Sequence, residues 1–257
     1  MENDQILAKI SLLADRGALF VVNHSGGKDS QAMFHVVRRL APPEQILVIH
    51  AHLAGVEWPG TWEHVLATTE GYSSVMVQAR KTFFDMVEAR GMFPSPRQRQ
   101  CTSDLKRDPI TTAIRRHAKA TGQGLIVNCI GLRAEESSNR ARQVAFRFSD
   151  RNSKAGREWY EWLPIHELTV EEVFAIIRDN GQEPHWAYAQ GMTRLSCVLC
   201  IMASTGDLQT AARLQPALYQ RYVELEKRIG QTMMMPSKTH GRRFLEDYTG
   251  VPASKAT

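Results

Sequence analysis

The chain has 257 residues, 43% of them apolar, and a formal charge of +5. That length holds one large core with a small appended lobe, and two independent domains would be a tight fit. The opening MENDQILAKISLLADRG mixes polar and apolar residues at helical spacing, unlike a secretory signal, and no run of about eighteen apolar residues follows, so no membrane span and a cytoplasmic location are expected.

In chain order, periodicity predicts a helix over 3–15, a strand over 18–24 and a helix from Lys28 to Leu40. A second strand covers 45–52, a helix 60–70 and a third strand 72–78. Next come a helix from Thr82 to Arg90, a Pro- and Arg-rich loop, a helix from Pro109 to Ala120 and a strand over 124–131. Strand alternating with helix at this spacing implies a mainly parallel sheet covered on both faces. The rhythm breaks after Arg133: Ser138 to Ile165 is polar, basic and aromatic, and reads as loops with a short antiparallel pair. A helix over 169–181 follows, with Thr169 as N-cap and Gly181 as its stop, and the tail is helical over 205–229.

Between the first strand and its helix stands NHSGGKDSQ, Asn23 to Gln31. Glycines 26 and 27 allow close backbone approach, and a helix N-terminus offers N–H groups and partial positive charge to an anion. Lys28 adds a full charge, while Ser25 and Ser30 add hydroxyls. Spacing excludes a Walker A loop, which needs glycine where Val22 stands and Ser or Thr where Asp29 stands. The basic residues form two groups, Arg97, Arg99, Lys106, Arg107, Arg115 and Arg116, then Arg133, Arg140, Arg142, Arg147, Arg151, Lys154 and Arg157. Each is either a solvated face or a surface for a polyanion, a nucleotide or a nucleic acid backbone.

SGGKDS resembles the pyrophosphate loop of the PP-loop ATP pyrophosphatase superfamily, which cleaves ATP between the α and β phosphates. VIHAHLAGVEWPGTWEHV, residues 48–65, is similar to that group's second-strand segment: Glu57, Pro59 and Thr61 match, and His52 replaces the usual aspartate. CIGLRAEESSNRA, residues 129–141, resembles a G-x-R-x-x-E-S signature, with Gly131, Arg133, Glu136 and Ser137 at the matching positions. CTSDLKRDPI and RLSCVLCIMAS complete a likeness to the phosphoadenylylsulfate reductase-like family, over residues 18–205.

The resemblance implies an α/β fold of the adenine nucleotide alpha hydrolase-like type, a mainly parallel five-stranded sheet with helices on both faces plus a small C-terminal helical lobe. The expected division is 1–205 for the nucleotide-binding domain with its cysteines, and 206–257 for a helical extension packed on it. Ser25, Gly26, Gly27, Lys28, Asp29, Ser30, Gly131, Arg133, Glu136 and Ser137 would hold ATP, with Lys28, Asp29 and Arg133 catalytic and Asp29 on Mg²⁺.

Of four cysteines, Cys129 lies in an apolar strand and reads as a core residue. Cys101, Cys197 and Cys200 fall where family reductases carry cluster ligands. Three readings stand: a [4Fe-4S] cluster with one open iron, a structural zinc with a fourth ligand from His or Asp, or thiols carrying persulfide. A helix beginning near Cys200 would favour thiolates. Trp159, Tyr160 and Trp162 read as core residues, with base stacking as the other reading.

The family reductases use a mobile cysteine near the C-terminus, and no cysteine follows Cys200 here. The character is then closest to the DndC or SspD proteins of DNA phosphorothioation. The expected activity is an ATP pyrophosphatase that adenylylates a DNA backbone phosphate and transfers sulfur to it, with a sulfur donor such as a cysteine desulfurase as partner. The alternatives are a sulfonucleotide reductase and a silent nucleotide-binding module.

Overall fold

The computed structural model describes residues 2–253. Its first half runs α1 (Glu2–Asp15), β1 (Leu19–Asn23), α2 (Lys28–Val37), β2 (Ile46–His52), α3 (Thr61–Thr68), β3 (Ser73–Gln78), α4 (Phe83–Arg90) and the short α5 (Gln100–Thr102). After one π-helical turn, Ser103–Arg107, come α6 (Asp108–Thr121), β4 (Leu125–Cys129), α7 (Ser138–Ala141), β5 (Phe146–Phe148), β6 (Glu158–Trp162) and α8 (Val170–Asp179). The helices α9 (Thr205–Leu214), α10 (Pro216–Ile229) and α11 (Leu245–Thr249) follow.

β1 sits at the centre because it has no polar face to offer solvent: Leu19, Phe20, Val21 and Val22 are at most 2% exposed. Such continuous burial is what a parallel strand covered on both sides needs. The strand order is β3-β2-β1-β4-β6-β5. β1 runs parallel to β2 and to β4, β4 parallel to β6, and β5 antiparallel to β6. The sheet therefore has six strands rather than five. The added edge is the antiparallel hairpin β5–β6, where Phe146 stacks on Tyr160 with ring centroids 5.2 Å apart.

Contacts divide the chain into two units. The first holds residues up to Ala51, Gly60–Val77 and Ile110–His185, and the second His52–Pro59, Gln78–Pro109 and the chain from Trp186 onward. In the first, alternate β1 side chains feed two cores. Phe20 and Val22 join Ile10, Met33, Phe34, Val127 and Trp162, while Leu19 and Val21 join Ile49, Ile114 and Trp159. Trp159 and Trp162 are thus core residues, 1% and 2% exposed. α8 starts as expected: Thr169 Oγ1 accepts the Glu172 N–H, and Glu172 returns a carboxylate oxygen to the Thr169 N–H at 2.7 Å.

The second unit is an aromatic-rich cluster in which Phe83, Phe84 and Phe93 surround Tyr222, with Trp58, Leu208 and Leu245 in the same core. Packing places Cys101 and Cys197 against this core, with the C-terminal helices, so the units do not follow a single cut at 205. Residues 254–257 of the expected lobe lie outside the described residues. Among the described residues, no helix is long and apolar enough to cross a membrane.

One carboxylate ties this second core together. Glu226 on α10 is fully buried and accepts the Met233 N–H at 2.5 Å and the Leu245 N–H at 2.6 Å. Burial raises its pKa, against the opposing effect of those two amides. Glu226→Leu leaves both N–H groups without an acceptor and is expected to lower stability by about 2–4 kcal/mol, read as a reduced urea midpoint.

Candidate active site

β1 delivers Asn23 and His24 to a loop that turns directly into α2. Gly26 takes a left-handed φ of 78°, which a side chain would oppose. Gly27 is the N-cap and has no side-chain acceptor to offer, so the first-turn amides must be satisfied from outside the helix. The loop is braced from within. Ser30 Oγ donates to Gly27 O at 2.8 Å and accepts the Ser25 N–H at 3.1 Å, and His24 Nδ1 accepts the Gly26 N–H at 3.1 Å. Ser25 itself is exposed.

Beside α2 passes the segment that follows β4. A Cβ on Gly131 would lie 3.3 Å from both Asp29 O and Ser30 N, so only glycine lets this segment touch the first turn of α2. Two residues on, Arg133 is 4% exposed and donates from Nε to Asp29 Oδ1 at 2.6 Å. The other Asp29 oxygen lies 3.1 Å from Lys28 Nζ, and Lys28 is also 4% exposed. One carboxylate thus holds two buried cations, its sequence neighbour Lys28 and Arg133, 104 residues further on.

The sequence-predicted residues separate here. The loop residues 25–30, Gly131 and Arg133 come together. Glu136 and Ser137 act on the following turn: Glu136 accepts the Arg133 N–H and pairs with Arg140, and Ser137 Oγ caps α7 through the Arg140 N–H. Glu135, which sequence reasoning passed over, pairs with Arg133 and accepts the Val170 N–H at 3.0 Å. Its only signal was its place two residues after Arg133. His24 was missed as well, although it immediately precedes the loop.

His52, at the position of the usual aspartate, pairs through Nδ1 with Glu57 at 2.6 Å. Thr61 Oγ1 lies 3.4 Å from His185 Nε2.

The cysteines of the second unit share one electrostatic environment. Burial pushes the Cys101 and Cys197 thiols up; Lys106 opposes this, and charge on the neighbouring cysteines adds to it. No helix starts at Cys200: α9 begins at Thr205, capped by Ser204, so the expected helix-terminal help for a thiolate is absent there. Cys129 is fully buried in β4, as a core residue should be, and its thiol also lies well above its ordinary range through burial. Thiols around one tetrahedral zinc lie about 4 Å apart, and the three sulfurs do not all lie within 4.8 Å of one another. Three thiols with the Lys106 cation beside them are a donor set whose chemistry suits a metal centre, which would displace their protons on binding.

Fold and loop together define a nucleotide-binding α/β protein of the PP-loop type, with the glycine loop at the carboxyl end of the central strand. The chain belongs to the phosphoadenosine phosphosulfate reductase domain family, whose pattern matches residues 20–203. An uncharacterized 37.8 kDa protein of Escherichia phage 186 is 32% identical over 170 residues, covering 64% of this chain and 49% of the phage protein. An uncharacterized protein of Methanocaldococcus jannaschii is 23% identical over 207 residues, covering 80% and 47%. The chain spans about half the length of these curated relatives. Among solved structures, Candida auris phosphoadenylyl-sulfate reductase in a phosphate complex is similar at TM-score 0.44 and 12% identity, covering 69% of this chain and 80% of that one. Candida glabrata FMN adenylyltransferase with FAD and pyrophosphate gives TM-score 0.45 and 11% identity, covering 70% and 55%.

Two outcomes follow from the loop. Gly131→Ala forces a methyl against the backbone of α2 and is expected to cost about 1–3 kcal/mol, read by urea unfolding. The second concerns His24, whose pKa lies well below 6.5 through burial first and then through charge on His64, His50 and His35. Above pH 6.5 it is neutral in both folded and unfolded chains. Below that, the unfolded chain takes up a proton that the folded one refuses, so stability falls as pH drops. The thermal midpoint is expected to decline below pH 6.5, and less steeply in His64→Gln, which removes another imidazole whose pKa burial depresses.

Proposed function

We propose that this chain is an ATP pyrophosphatase that adenylylates a DNA backbone phosphate and so prepares it for sulfur transfer. The observation that carries the reading is the Lys28–Asp29–Arg133 cluster at the uncapped start of α2. Two buried cations and a helix N-terminus converge there, and only a polyanion makes use of all three.

In this reading ATP binds as its Mg²⁺ complex. Magnesium is commonly held by one or two carboxylates together with substrate phosphates, and Asp29 is the carboxylate at the loop. Both its oxygens are engaged by Lys28 and Arg133, so binding would be an exchange in which phosphates take over the two cations and Asp29 is freed to hold the metal. An acceptor oxygen attacks the α-phosphorus, the bond to the α,β-bridging oxygen breaks, and pyrophosphate leaves with its charge held by Lys28, Arg133 and the α2 amides. A sulfur nucleophile from a donor such as a cysteine desulfurase then displaces AMP from the adenylylated acceptor.

Cys101, Cys197 and Cys200 would hold an iron–sulfur cluster, which supplies an iron to which sulfur binds. Burial raises the Cys101 and Cys197 thiols and makes those two poor free nucleophiles at neutral pH, which supports ligation over direct persulfide transfer.

The family match favours a second reading, reduction of a sulfonucleotide such as phosphoadenylyl sulfate, with the same loop binding the nucleotide. The two separate by product. Under the first, anaerobically purified protein releases AMP and pyrophosphate from ATP, faster with DNA, and Lys28→Ala lowers the rate about 100-fold or more. Under the second, it releases sulfite from phosphoadenylyl sulfate with a dithiol reductant and makes no pyrophosphate. Pyrophosphate missing under all conditions overturns the first reading. A visible absorption band that disappears in Cys197→Ser supports the cluster; a colourless wild-type protein removes it.

A further inference from the structure

At the end of the first unit opposite the nucleotide loop lies an open groove of about 660 Å³. One wall is α6, which contributes Arg115, Arg116 and Lys119, and another is the turn before β6, which contributes Arg157. The loop follows the carboxyl end of β1, whereas this groove is formed where the parallel strands β4 and β6 begin. A five-residue strand at about 3.3 Å per residue puts roughly 16 Å of sheet between the two ends.

Three observations mark the groove as more than a solvated basic face. It joins cations from both basic groups of the sequence, and no acidic residue lines it. Among the described residues, none of the four cations has a carboxylate in ion-pair distance; the side-chain bond here is from Arg115 to Asn152 Oδ1, at 2.8 Å. The floor is held by an unusually close approach: Glu158 N donates to Gly124 O at 2.8 Å, and a Cβ on Gly124 would lie 3.1 Å from Gly156 O. Ala155 beside it has a φ of 55°, a left-handed conformation that costs a non-glycine residue and is retained where the surroundings impose it.

We propose that this groove docks the phosphate backbone of duplex DNA, as an exosite separate from the nucleotide cradle. Planar guanidinium groups suit phosphate oxygens, and the groove presents three of them with a lysine. No aromatic residue lines the groove, so contact is with backbone phosphates and is independent of sequence, not base stacking. The inference names the partner for the DNA acceptor reading and extends it, but is read from binding alone. DNA held here presents another of its phosphates for reaction, because the docked ones lie at the far end of the sheet.

The test uses the full chain without ATP. A fluorescein-labelled 20-base-pair duplex is titrated by anisotropy between 50 and 200 mM NaCl, with wild type, Arg116→Gln/Lys119→Gln and Arg115→Gln/Arg157→Gln. Each pair is expected to weaken binding at least tenfold at 100 mM salt and to reduce the salt slope by about two, near the value of 0.9 per lost phosphate contact. The first pair is exposed on α6 and removes no bond of the fold, so it reports even where the second destabilises the protein. Unchanged affinity and slope in Arg116→Gln/Lys119→Gln overturn the exosite, and so does binding of single strands alone. Pyrophosphate release from ATP without DNA stays at the wild-type rate in that pair, so a failed exosite and a failed pyrophosphatase are told apart.

Discussion

Lys28, Asp29 and Arg133 share a single buried ionic contact on which the geometry of the first unit's site depends. Charges taken out of water are tolerated only when paired, and removing one member of a buried pair typically costs about 3–5 kcal/mol. Here the carboxylate is the hinge of the arrangement. It fastens the segment after β4 to the first turn of α2, and Arg133 carries the connection onward to Glu135 and the Leu168 carbonyl. Glu135 in turn accepts the first amide of α8. The ends of β1 and β4 and the start of α8 are therefore registered by one chain of charge-assisted bonds.

That chain is balanced without a ligand: two cations face two carboxylates. A polyanion entering the loop cannot simply add to it, since Asp29 would repel it. Under the proposed function, binding would be an exchange in which phosphate replaces carboxylate on Lys28 and Arg133, and a divalent cation would compensate the carboxylate released. Gly131 would keep that exchange local, because with no side chain against α2 the segment that carries Arg133 lies in contact with the loop.

Much of this was legible in the sequence because the loop is punctuated by residues with few uses. Two glycines followed by a lysine at a strand-to-helix junction read as an anion site, and Gly131 with Arg133 form a second signature whose residues the structure brings beside the loop. Glu135 and His24 were not legible, since a carboxylate beside two others and a histidine at a strand end are common. Neither residue type nor spacing shows that one pairs with Arg133 and the other accepts the Gly26 amide. The sixth strand was hidden by a three-residue edge, Phe146–Phe148, too short for a clear alternation. The second unit was hidden for a different reason. Its core is assembled from three separate stretches, and a reading along the chain sees neighbours in sequence, not the aromatic cluster that Tyr222 completes.

The ion pairs separate the basic residues of this chain of net charge +5 into two kinds. Arg140 and Arg147 face Glu136 and Glu161, and Arg107 faces Asp108. These basic residues are spent on the fold. Arg115, Arg116, Lys119 and Arg157 are not: they meet at the amino ends of β4 and β6 and find no carboxylate. Charge that a protein leaves uncompensated in one concave place raises the local concentration of anions there, and does so most for a polymer that presents many at once. A solvated face would spread such residues apart. Here one stretch of α6 and one turn before β6 bring them together, over a floor so tight that it requires glycine at 124 and a left-handed alanine at 155.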